Sequence, residues 1–301
     1  AVSAFAFLVR RLDDAEAEAF ARFLGRAAHA LLRRRRRTAL ENVRAAWGGA
    51  ISREESERIV RRAFEHFAAV ALEILRFPLL DEEECLRRVR VEGWEYLENA
   101  AAKGRGVLIC AAHFGNWEMM ALAQGWRGLP VAVMTRPLDN PRLEAMLASL
   151  RTASGNSVIH KRDSVRGILR RLHEGGIAGI VMDQSYRGED TVLAQFMGRP
   201  AATTPAPALL SFKTGASIVL AFSVRERFNR YRITYEPCPS AALTGERRAD
   251  VEALTRAVTS RLEDVIRRHP EQWLWMHERW RMEHRHAEAA AALAAQNKQD
   301  G

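Results

Sequence analysis

Cysteine is sparse in these 301 residues, and Cys85, Cys110 and Cys238 are an odd number with no C-x-x-C spacing among them. A disulfide framework and a thiolate zinc site are thereby excluded, and a reducing compartment is expected. No second histidine stands four residues from His113, the other common zinc arrangement, so no metal is expected. No stretch approaches the roughly 20 apolar residues that cross a bilayer. No glycine-rich loop precedes a helix as a phosphate cradle, and no internal repeat or long polar linker forces a domain boundary. Lysine is rare as well. Nearly all of the 46 basic residues are arginine, against 37 acidic residues, for a formal charge of +9. That balance favours an anionic partner (nucleic acid, anionic lipid or an acidic carrier protein), or else reflects a compositional bias toward arginine and alanine.

What is present is enough for a sizeable core, because 48% of the chain is hydrophobic. The first hundred residues read as helix throughout. Ser52 and Glu55 form a capping box, after which Ile59, Ala63, Phe64, Phe67, Val70, Ile74 and Leu75 trace one apolar helical face up to Pro78. From residue 106 the texture changes to β-rich runs separated by helical periods: VLICAA, VAVMT, SVIH, IAGIVM, ASIVLAFSV and RYRITYE. Asp163 is placed to cap the helix between the third and fourth runs, and Gly175-Gly176 to stop it. The last two runs read as an antiparallel hairpin at one edge. The expected class is therefore α/β, a largely parallel sheet with helices on both faces, preceded by an N-terminal helical region. Residues 1–285 are expected to form a single domain (1–100 helical, 101–285 α/β), with a biased, frayed tail at 286–301.

Three strands end in polar residues: His113, Thr135-Arg136 and Asp183-Gln184. In a parallel sheet these gather in one crevice outside the carboxyl ends of the strands. His113 and Glu118 lie five apart, which on a regular helix puts them on different faces. They meet only if His113 sits in a loop, with Gly115 permitting a bend and Asn116 capping a helix from Trp117. A carboxylate behind a histidine fixes its tautomer and stabilises the imidazolium, which makes His113 a general base and Glu118 its partner. No serine, cysteine or lysine stands beside the pair as a nucleophile, so an alcohol of the substrate is the natural one.

At this point the chain resembles the lysophospholipid acyltransferase superfamily, and within it the lipid A biosynthesis (late) acyltransferases. The resemblance covers residues 20 to 285. It is carried by TALENVRAAW at 38–47, His113 with Glu118, Arg136-Pro137, MDQ at 182–184, FMGRPAATTPAP at 196–207 and HPEQWLWMHERWR at 269–281. H-x4-E alone recurs by chance in many proteins, whereas six elements in this order are specific. The resemblance implies a glycerolipid acyltransferase-like fold and an enzyme that moves a fatty acyl chain from acyl carrier protein or coenzyme A to a hydroxyl of a lipid A precursor or related glycolipid. It implies His113 as base, Glu118 as its partner, Arg136 on an anionic or carbonyl group of the substrate, and Asp183 and Gln184 on the same rim. It requires no metal or redox cofactor. The oxyanion falls either to backbone N–H groups near Asn116 and Trp117 or to Arg136. MDQSYR stands where the broad superfamily usually carries an F-P-E-G-T-R-like phosphate block, which argues against an ordinary lysophosphatidate acceptor.

Two features bear on location. Residues 1–9 are an apolar stub followed by Arg10 and Arg11, either the stump of a longer anchor or an interfacial helix. Between residues 21 and 47 stand eight arginines, five of them consecutive at Arg33 to Arg37, against one acidic residue, Glu41. Such a run suits acidic lipid head groups, and no nucleic-acid motif accompanies it, so the expected position is peripheral, on the cytoplasmic face of the bacterial inner membrane. Trp273, Met276 and Trp280 read as a helical stripe of core. A lipid or thioester hydrolase using the same His-Glu pair, and a non-catalytic membrane- or nucleic-acid-binding protein, are the alternative classes.

Overall fold

The computed structural model describes residues 2–135, 140–160 and 164–280. Four helices come first: α1 (Val2–Val9), α2 (Asp14–Leu31), α3 (Arg33–Trp47) and α4 (Arg53–Arg76). Asp13 caps α2 in a reciprocal box with Glu16. Ser52 caps α4 by accepting from the Glu55 N–H at 3.1 Å, but the Glu55 carboxylate turns to Arg58, so the expected box is half formed. Gly25 lets α2 press against α4, since a Cβ there would lie 2.4 Å from Glu65 Cα. Among the described residues no helix is long and apolar enough to cross a membrane.

Strands and helices then alternate: α5 (Glu82–Arg87), β1 (Val89–Glu92), α6 (Trp94–Ala102), β2 (Val107–Ala111), α7 (Trp117–Trp126), β3 (Val131–Thr135), α8 (Pro141–Thr152), β4 (Ser157–His160), α9 (Ser164–His173) and β5 (Ile177–Val181). A hairpin of β6 (Val192–Phe196) and β7 (Arg199–Thr203) follows, then α10 (Ala206–Thr214), β8 (Ser217–Arg227), β9 (Arg230–Pro237) and α11 (Arg247–Arg268). Seven strands form one sheet in the order β1-β9-β8-β2-β5-β3-β4. The five from β8 to β4 are mutually parallel, and β9 pairs antiparallel to β8. Side chains alternate across β2 between two layers. Leu108 and Cys110 share a core with α3, α4 and α9 to α11, while Val107, Ile109 and Ala111 pack with α5 to α7.

The fold class is thus the expected one, with three corrections. The first hundred residues are not helical throughout: the four-residue β1 pairs parallel to β9, so the β8–β9 hairpin does not end the sheet. A run this short carries too little period-2 signal to be told from a loop. The β6–β7 hairpin, turned at Met197 and Gly198 with positive φ, was not expected either. The segment carrying Trp273, Met276 and Trp280 is a 3-10 turn at Pro270–Gln272 followed by irregular chain, not a helix, although Trp273 and Trp280 are buried. Arg136, Asp163 and the tail at 286–301 lie outside the described residues.

Candidate active site

Strands β2 and β5 are neighbours in register, Ala111 opposite Val181, so the residues two beyond each strand end, His113 and Asp183, come face to face. The His113 ring Nδ1 lies 2.8 Å from Asp183 Oδ1, and the His113 backbone N–H donates to Asp183 Oδ2 at 3.0 Å. Trp273 Nε1 donates to the same Oδ2 at 2.7 Å. Asp183 is almost wholly buried, and these donors hold its carboxyl below the usual range: burial alone would raise it, and the charge and hydrogen bond of His113 more than offset that. For His113, burial would lower the pKa, but the Asp183 charge and hydrogen bond, with a contribution from the Glu118 charge, leave it above the ordinary imidazole value. A carboxylate on Nδ1 selects the tautomer with its proton there, so the lone pair belongs to Nε2. Gln184 Nε2 stands 3.4 Å from that nitrogen, too far for a good hydrogen bond.

The loop that carries His113 is built for this placement. Gly115 adopts φ 58°, and any Cβ there would overlap the Ser223 carbonyl oxygen at 1.5 Å. Asn116 caps α7 by accepting from the Met119 N–H at 3.0 Å. Its amide donates to Glu73 Oε2 and to the Tyr231 hydroxyl, and the residue has no exposed surface. Asn116 was expected as the cap of α7 and as a substrate contact through the backbone N–H groups near it. The cap is present, and the side chain is wholly committed inward, because a buried amide must satisfy its own donors. Beneath it Glu73, fully buried, also accepts from Arg225 Nε at 2.7 Å and the Asn229 N–H at 3.0 Å.

Glu118 does not touch the imidazole. It lies in the first turn of α7 and accepts from Arg151 Nε of α8 at 2.9 Å, while the Trp117 ring stands edge-on to His113 at 5.1 Å. The ring is oriented by Asp183, which was expected only as a rim residue. Glu118 nonetheless lines the same cavity as His113.

That cavity, about 500 Å³, runs from His113, Thr135 and Gln184 down between β2, β3, β5 and α7 to Ile109, Val131 and Gln124. Its walls are mostly apolar. Thr135 Oγ1 and Ser185 Oγ, both on residues that line it, are buried and have no hydrogen-bond partner among the described residues. Arg136, expected on the rim, lies just outside the described residues, next to Thr135. Three contributors went unseen in the sequence: Trp273, Arg151 and Arg279. The last is buried and donates to the carbonyls of Gln184 and Ala202 and to Thr203 Oγ1, fastening the chain after β5 to β7. All three act across long sequence separations, and only the presence of Trp273 and Arg279 in the closing block hinted at them. Among the described residues no group of three His, Cys, Asp or Glu side chains is placed to hold a metal ion.

A histidine oriented by a buried aspartate, opening on an apolar cavity, invites comparison with known proteins. The family described as bacterial lipid A biosynthesis acyltransferase matches residues 1–282. The chain belongs to this family. It is 27% identical over 264 residues to a lipid A biosynthesis palmitoleoyltransferase of Escherichia coli (strain K12), covering 86% of this chain and 82% of that protein. A lipid A biosynthesis lauroyltransferase of the same organism is 25% identical over 260 residues, covering 86% and 83%. A phosphatidylinositol mannoside acyltransferase of Mycobacterium tuberculosis (strain ATCC 25618 / H37Rv) is 22% identical over 224 residues, covering 72% and 69%. As a member of the lipid A acyltransferase family the protein is an O-acyltransferase, and the His113 cavity is its candidate active site.

Proposed function

We propose that this acyltransferase moves a fatty acyl chain from a thioester, on acyl carrier protein or coenzyme A, to a hydroxyl of a lipid A precursor or related glycolipid, with His113 as general base. The observation that carries it is the Asp183–His113 pair set over a deep apolar cavity. The four-residue rise from Val131 to Thr135 makes that cavity about 13 Å deep, suited to a hydrocarbon chain. His113 Nε2 takes the hydroxyl proton as the oxygen attacks the thioester carbonyl. The C–S bond then breaks, and the departing thiolate takes that proton from the imidazolium, leaving ester and thiol. Oxyanion stabilisation falls to the N–H groups of Trp117 and Glu118 at the start of α7, which have no acceptor among the described residues, or to Arg136. Glu118, held by Arg151, contributes negative charge near the imidazole rather than its orientation. No metal or redox cofactor enters these steps.

We place the protein peripherally on the cytoplasmic face of the inner membrane. Phe23, Leu31 and Leu32 are exposed beside the Arg33–Arg37 run, a combination suited to an anionic bilayer surface. The test is mass spectrometry of products from both thioester donors and a panel of glycolipid and lysolipid acceptors. Acylated glycolipid is expected from the parent and none from His113→Ala, with its fold checked by circular dichroism because the change leaves the buried Asp183 without its Nδ1 partner and lowers the melting temperature. Free fatty acid as the sole product with acceptor present would make the enzyme a hydrolase. Normal turnover in the folded variant would remove His113 from the chemistry.

A further inference from the structure

A second apolar cavity of about 500 Å³ is lined by Phe67, whose ring meets that of Trp117. Ala28, Leu32, Phe67, Ala68, Leu274 and Met276 line it, between the α2–α3 junction, α4 and the irregular segment after α11. It shares no lining residue with the His113 cavity. Yet the two are one side chain apart. The Phe67 ring meets Trp117 at 6.3 Å, Trp117 meets His113 at 5.1 Å, and the Leu274 N–H donates to the His113 carbonyl at 3.2 Å.

The interior of this groove carries little charge. Its His277 is held below the ordinary imidazole value by burial, so it is neutral near pH 7. The lip differs. Arg35 lines it, donating to the Met276 carbonyl at 3.2 Å, and belongs to the run Arg33–Arg37, in which Arg34 pairs with Glu278 and Arg37 with Glu41. Beside the opening Leu31 is 78% exposed and Leu32 52%, an apolar sill leading to solvent. An occupant matched to all three zones is apolar inside, anionic at the lip and able to enter sideways over leucines.

We propose that this groove seats a hydrocarbon chain of the anionic glycolipid acceptor, with a phosphate of its head group at Arg35, while the donor chain fills the His113 cavity. This rests on the acyl-transfer reading above. Ester formation needs two chain-bearing molecules brought to one nitrogen, and two separate apolar cavities flank the loop that carries His113.

The test uses a phosphorylated lipid A precursor bearing a diazirine in its acyl chain, photolysed with the full-length enzyme and mapped by peptide mass spectrometry. Label is expected on Phe67–Ala68 or Leu274–Met276. Label confined to Val131–Thr135 or Ile177–Val181 would put the acceptor chain in the first cavity and overturn the proposal. Kinetics supply a second arm. Ala68→Trp should raise the acceptor KM by about tenfold, the loss expected on excluding roughly two methylenes, with donor KM little changed. Arg35→Gln should raise KM for the phosphorylated acceptor more than for its dephosphorylated form. An unchanged acceptor KM in folded Ala68→Trp, or an altered preference for donor chain length, would overturn the assignment. Labelling needs no turnover, so an enzyme that hydrolysed donor without acylating acceptor would refute the transfer reading and still report what the groove holds.

Discussion

At the residue scale the site turns on which carboxylate serves His113. Asp183 reaches Nδ1 and is held by three donors, whereas Glu118 is spent on Arg151. General-base catalysis needs neutral imidazole, so kcat/KM should rise with pH through the raised His113 pKa and fall away at lower pH, the limb lying above 6.5. Asp183→Asn removes the charge that raises it. The plateau should fall on the order of a hundredfold and the limb should move to lower pH, read from pH–rate profiles. An unmoved limb would mean that Asp183 is not what sets the base. Glu118 and Arg151 call for a different measurement. Each alone leaves the other half-buried and unpaired, so Glu118→Gln, Arg151→Met and the double variant should show losses that do not add. Strict additivity would show that the pair does not act as a unit.

At the element scale, parallel β2, β5 and β3 deliver three polar strand ends to one crevice, and that convergence was legible in the sequence, because apolar runs ending in His113, Thr135 and Asp183 state where each strand stops. The facing of His113 to Asp183 was not legible, since it depends on β5 being the neighbour of β2, a long-range pairing without local signal. The same adjacency places Gly179 of β5 against the cavity, where a Cβ would lie 3.3 Å from Val131 Cγ2. Gly179→Leu should therefore narrow the cavity and shift donor preference toward shorter acyl chains, by about tenfold in kcat/KM between a long and a short thioester. A proportional loss for all chain lengths would mean that the donor chain does not lie along β5.

At the scale of the whole molecule, the helical N-terminal region and the sheet share one hydrophobic cluster, from Val43 and Phe64 through Leu108 to Val258 and Trp273. The arginine run of α3 lies on the outside of that assembly, where Arg37 pairs with the exposed Glu41 and Arg34 with the half-buried Glu278. Such contacts are worth little by themselves and leave the charge available to a surface. Replacing Arg33, Arg34, Arg36 and Arg37 with glutamine, with Arg35 kept, should weaken binding to anionic liposomes and flatten its salt dependence, measured by sedimentation, while kcat on a detergent-dispersed acceptor is retained. If the run docks an acidic carrier protein instead, liposome binding should hold and KM should rise for the carrier-bound donor but not for the coenzyme A donor.

The sequence by itself determined the alternation of strand and helix, the loop that frees His113 from α7 and the family, because each is written in local periodicity, in turn chemistry or in the order of short motifs. Tertiary structure alone decided that Asp183 rather than Glu118 orients the imidazole, that Asn116 turns inward to Glu73, and that Trp273 and Arg279 return from the far end of the chain to hold the rim. Those choices follow from strand order and from which buried donors find acceptors, and neither is encoded in the spacing of residues along one segment.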